Sequence, residues 1–206
     1  MDDFEFLAGF FGVLLGLVIA QIATKLAEAI DDHQERPLGL LTSLLAAFVL
    51  CDVTGFWLYI WSARDIITVS WLSVFICTGL AITYFLAVAL IFPRSPGRWA
   101  SYDAHYWARK RLVLGGMLGV NTAVLTGQLA RRLPELTDFW FYFYQGGYYV
   151  PLTALLFTRR RWQDIALFAW LLLYYALVIV DPLPPSQWAN EVMLNPGQEA
   201  ATPPNR

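Results

Sequence analysis

The stretch 38-LGLLTSLLAAFVLCDVTGFWLYIW-61 decides the fold. It runs for 24 residues with a single charge, Asp52. A helix crosses a hydrocarbon core of roughly 30 Å with about 20 apolar residues. A buried strand would need only about 4–8. The stretch therefore reads as a membrane-spanning helix, and its neighbours read the same way.

Five comparable segments flank it. The first runs from about Phe4 to Ala27, and the third from Ile66 to Phe92, stopping at Pro93. The fourth runs from Leu112 to Ala130 between two basic groups, Arg109-Lys110-Arg111 and Arg131-Arg132. The fifth runs from Asp138 to Thr158 and stops at Arg159 to Arg161. The sixth runs from Asp164 to Val180 and is closed by Asp181-Pro182. Gln145-Gly146-Gly147 and Pro151 interrupt the fifth, and glycine and proline loosen a helix interior, so five spans is the alternative count. The expected fold is all-α: a polytopic transmembrane helical bundle over residues 1–181. The tail 182–206 holds six of the eleven prolines and few large apolar residues, so it is expected to be disordered, with Trp188 at most touching the membrane surface.

Composition agrees. The chain is 58% hydrophobic and 15% charged, whereas a soluble domain averages about 45–50% and roughly 25%. A soluble globular domain, a coiled coil and a disordered chain are excluded. A net charge of −2 with no basic stripe gives no reason to expect nucleic acid. Cys51 and Cys77 lie in apolar stretches without metal spacing and read as small buried hydrophobes. His33 and His105 have no ligand neighbours at helical spacing, so neither metal nor cofactor is expected. The opening Met1-Asp2-Asp3 lacks the basic region of a signal peptide, so the first segment is read as a retained span.

Basic residues set an orientation. With six spans, one side receives Lys25, Arg36, Arg94, Arg98, Arg109, Lys110, Arg111 and Arg159 to Arg161, ten of the fourteen. That side is expected to be cytoplasmic and both termini outside. Aromatic residues near the boundaries, such as Trp57, Tyr59, Trp61 and Trp71, and Trp140 with Tyr142, suit the headgroup level.

The first and fourth spans resemble each other at an offset of 103 residues, with Gly12, Leu15, Gly16, Ala20, Leu26 and Ala27 matched by Gly115, Leu118, Gly119, Ala123, Leu129 and Ala130. A duplication would make a 3+3 inverted repeat, as in many transporters. The alternative is convergence on a small-residue ridge, Gly12-Gly16-Ala20 in one span and Gly115-Gly119-Ala123 in the other, a common packing device. Either reading makes both spans central, packed on each other or on a second copy.

Asp52 is the sharpest chemical feature. It lies nine residues before Trp61, so at ~1.5 Å per residue it is ~13 Å below the end of its helix. An ionisable group at that depth costs at least ~2.5 kcal/mol on insertion scales and marks a functional position by default. A proton or cation relay or a gate is one reading; a protonated carboxyl bonded to a neighbouring helix is the other. Asn121 is at a similar depth, and Gln21 lies on the first span, so Gln21, Asp52 and Asn121 are expected to form one polar cluster between spans one, two and four. Lys25 is near enough to its helix end to snorkel. In the third loop, Trp99, Tyr102 and Tyr106 share a helix face beside Arg109, Lys110 and Arg111. They are expected to anchor an interfacial helix to the lipid bilayer. His105 and Asp103 invite a catalytic reading that no nucleophile or metal motif supports.

Phe4-Glu5-Phe6 leading into Gly16-Leu17-Val18-Ile19-Ala20-Gln21 resembles a widespread family of small bacterial six-helix inner-membrane proteins without an established activity. Ala87 to Pro93, followed by Tyr102-Asp103-Ala104-His105-Tyr106 and the basic run, is similar to it as well. The resemblance covers roughly the first 120 residues and implies a bacterial inner-membrane location. The small six-helix potassium channels carry a Phe-Ser-Asp filter motif in their first helix, which Phe6-Leu7-Ala8-Gly9 lacks. The expected function is a small, non-enzymatic, homo-oligomeric channel or transporter. The alternatives are a structural or sensory subunit that docks a partner on the aromatic third loop, and a lipid-acting membrane enzyme using His105 and Asp103.

Overall fold

The computed structural model describes residues 3–31, 38–62, 69–94, 99–130, 132–180 and 184–189. Among the described residues six long helices follow one another: α1 (Asp3–Asp31), α2 (Leu40–Ser62), α3 (Trp71–Ala89), α4 (Tyr102–Leu129), α5 (Phe139–Phe157) and α6 (Arg161–Val180). Among the described residues there is no strand. All but α5 are long and apolar enough to cross a membrane. The chain is an all-helical, multi-pass membrane bundle. α4 has 28 residues, about 42 Å at ~1.5 Å per residue, so it overreaches the hydrocarbon core.

Local chemistry sets the helix ends. Ser70 caps α3 by accepting from Ser73 N, and the Ser73 hydroxyl accepts from Ser70 N in return. Ser101 caps α4, and Asp138 caps α5. Asp103 caps α2 from a distance: its Oδ1 accepts from Leu41 N at 3.1 Å and Thr42 N at 3.3 Å. Gly39 makes that approach feasible, because a Cβ there would overlap the Asp103 carboxylate.

α5 is continuous, contrary to the expectation that its glycines and proline break it. Pro151 has no N–H, which leaves the Gly147 carbonyl one turn earlier without its helical donor. The Trp170 indole Nε1–H of α6 donates to that carbonyl at 2.8 Å. At the other end of α5, Arg111 Nε donates to Leu156 O at 3.0 Å and Lys110 Nζ to Thr158 O at 2.7 Å. Two cations thus meet the negative end of the helix dipole.

α2 is the inner helix: half of its span is buried, against 17% of that of α6. It packs on α6, α1 and α4. α1 buries Leu7, Phe11, Leu15, Val18 and Ile22 against α3 and α2, at spacings of three and four residues. The outer faces expose Val13, Leu17, Leu72, Phe75, Leu86 and Val150 among many large apolar residues. Such a surface is costly in water and natural in lipid.

The two halves do not pack alike. α1 lies mainly on α3, whereas α5 lies on α6 and α4 lies on α3 and α5. The small-residue ridges do not bring α1 and α4 together. Gly12 faces the Trp57 indole, but a Cβ at Gly16, Gly115 or Gly119 would meet nothing within 4 Å. Gly16, Ala20, Gly119 and Ala123 are exposed.

Candidate functional site

Asp52 sits in the interior of α2 with 3% of its surface exposed. Its Oδ1 accepts from Tyr148 OH at 2.6 Å and Tyr175 OH at 2.7 Å. Its Oδ2 accepts from Tyr84 OH at 2.5 Å and Asn121 Nδ2 at 3.2 Å. The donors come from α5, α6, α3 and α4, so five of the six helices meet on one carboxylate. Four donors match the roughly four lone-pair positions of an ionised carboxylate, which accepts only. No ion pair among the described residues involves Asp52. Its partners are all neutral groups, three phenols and one amide.

The packing around the carboxylate is tight. Gly55, nearly one turn after Asp52, lets Tyr175 through: a Cβ there would lie 3.3 Å from Tyr175 Cε1. Asn121 also donates to Met117 O at 3.0 Å, which fixes the amide. On one side of Asp52 the bundle is closed by Phe48 and Phe168, both fully buried, with ring centroids 6.0 Å apart.

On the other side a cavity of about 520 Å³ opens. It extends from Asp52 and Asn121 past Tyr148, Tyr149, Tyr174 and Tyr175 to Gln128, Leu58 and Val178. Residues 184–189 sit at its mouth. Trp188 N donates to Asp138 Oδ2 at 2.8 Å, Trp188 Nε1 to Arg132 O at 2.9 Å, and the ring lies 5.0 Å from Phe141. Tyr144 OH donates to Pro184 O at 3.1 Å. The expectation of a disordered tail therefore fails for 184–189, where Trp188 is buried. One Asp138 carboxylate caps α5 and holds this segment together. Residues 190–206 lie outside the described residues, as does the acidic turn with His33.

A second polar cluster lies beyond Phe168, toward the opposite end. Lys110 Nζ donates to Asp164 Oδ2 at 2.7 Å, and Tyr106 OH donates to the same oxygen at 2.6 Å. The Thr158 hydroxyl donates to Asp164 Oδ1. Lys110 also stands 4.3 Å from the Trp107 ring centroid. Asp164 is fully buried, so here a cation compensates the charge.

The expected cluster is therefore met in part. Asp52 and Asn121 are hydrogen-bonded, but Gln21 is not joined to them; its Oε1 is buried without a partner. The expected interfacial anchor is also corrected. Tyr102, Tyr106 and Lys110 recur every fourth residue and form the buried face of α4. Trp99 packs edge-on against His105 at 4.9 Å, while Arg109 is exposed and Arg111 caps α5. His105 Nε2 bonds to Leu90 O at 2.9 Å, and Asp103 serves α2, so the two do not form a pair.

Reading by hydropathy missed Tyr84, Tyr148 and Tyr175, because tyrosine in a span suggests an interfacial anchor. Their depth was the available signal, strengthened by the doublets Tyr148-Tyr149 and Tyr174-Tyr175 in the last two spans. No protein-family model, curated protein or solved structure matches this chain.

Proposed function

We propose that the protein is a small, non-enzymatic transporter of the bacterial inner membrane that takes a solute into the α2–α6 cavity and releases it on the opposite side. The observation that carries this reading is the cavity that ends on the carboxylate of Asp52 in mid-span. Small-molecule sites are concave, mostly apolar and equipped with a few placed polar groups, and volumes of about 300–1,000 Å³ are usual. Intramembrane carboxylates mark solute and ion pathways. The buried Phe48–Phe168 layer separates the cavity from the Lys110–Asp164 cluster, a division suited to a bundle that opens to one side at a time. On the basic-residue count the cavity opens outward. The outward-facing ridges around Gly16 and Gly119 would serve a homo-oligomer.

The alternatives lose the residues that prompted them. The aromatic face offered for partner docking is buried in α4, and His105 and Asp103 hold a turn and a helix end. Flux into proteoliposomes tests the proposal. Reconstituted protein should carry a solute from a small-metabolite panel at a rate that Asp52→Asn lowers by about tenfold or more, in keeping with loss of a charge-assisted contact. Equal flux through both proteins would remove Asp52 from the path.

A further inference from the structure

We propose that the solute is a small organic cation, an ammonium group carried on an apolar or aromatic body. The inference rests on the transport reading for its site but concerns the ligand's chemistry.

Among the described residues, the cavity wall contains one formally charged side chain, Asp52, and no lysine, arginine or histidine. An anion entering it would leave water to face a carboxylate, which disfavours anions. Much of the remaining wall is aromatic, with Phe56, Tyr144, Tyr149, Tyr174 and Trp188 around the space. Aromatic faces attract cations, and desolvated sites strengthen the attraction to about 2 kcal/mol or more.

The same geometry separates organic from inorganic cations. An alkali ion gives up its hydration shell only to oxygens that bind it directly. The lone-pair positions of Asp52 are taken by three phenol O–H groups and one amide. An alkylammonium needs no such coordination. It requires negative potential, π faces and room for its carbon body, and the wall supplies all three.

Titration calorimetry on the purified full chain in nanodiscs tests this with benzyltrimethylammonium, benzyl alcohol, benzoate and sodium chloride at constant ionic strength. Saturable binding of benzyltrimethylammonium is expected, with no competition by the other three. Asp52→Asn should weaken it about tenfold or more. Val178→Lys places a positive charge in the exposed wall near the mouth without replacing a tyrosine, so it should weaken binding more than Val178→Gln does. If Asp52→Asn does not fold, the Val178 pair decides the matter. Competition by sodium, equal binding of benzyl alcohol or benzoate, indifference to Val178→Lys, or no saturable binding overturns the inference. A cation that binds but does not cross proteoliposomes leaves this inference standing and removes the transport reading.

Discussion

Two buried aspartates are held by opposite means. Asp164 has a cation, Lys110, at 2.7 Å, and both side chains are nearly inaccessible. Asp52 has only neutral donors. The difference matters because taking a charge out of water costs several kcal/mol, and a partner must return it. Removing one half of the Lys110–Asp164 pair should therefore be severe. Lys110→Met is expected to cost about 3–5 kcal/mol, since it strands a buried carboxylate. Adding Asp164→Asn should restore part of the loss by removing that charge. Thermal unfolding in detergent checks this: a double variant no more stable than the single would mean that the stranded charge is not the cause.

α5 shows how a helix unfit by propensity is completed by its neighbours. Pro151 removes one ladder bond, and α6 replaces it with the Trp170 indole. The basic residues of α4 cover its last carbonyls. Trp170→Phe should cost about 1–3 kcal/mol, the cost of a carbonyl left unsatisfied where lipid rather than water surrounds it. Pro151→Ala in the same chain should recover much of it, because the new N–H can bond Gly147 O within the helix. Unfolding midpoints of the two variants measure this, and an unchanged midpoint in Trp170→Phe would show the indole bond to be idle. Propensity alone cannot read α5, since both compensating groups belong to other elements.

At the scale of the whole molecule, the cavity opens at the end of the bundle that carries residues 184–189. The proposed orientation, taken from ten basic residues against four, turns that end outward. A phosphatase fused to the C-terminus, active only outside the cytoplasm, should be active in cells, and a reporter that works only in the cytoplasm should be silent there. The reverse pattern would turn the cavity toward the cytoplasm. Docking of Trp188 at the mouth belongs to this scale as well, because it depends on Asp138 and Arg132 from the α4–α5 connection. The Pro-rich composition of the tail argued for disorder, and a single carboxylate with a buried indole outweighs it locally.

The sequence by itself determined the helical segments and the depth of Asp52, because crossing a bilayer is a local requirement on hydropathy met within each segment; it did not set their ends, since α4 begins at Tyr102 rather than Leu112. It also marked Asn121 as level with Asp52. Only the tertiary structure decided which side chains meet. The donors to Asp52 stand 32, 69, 96 and 123 residues away along the chain. Which face of each helix turns inward depends on close packing among five helices, and one apolar sequence looks much like another until they are packed. Gln21 stands on α1, the one helix that gives no partner to Asp52.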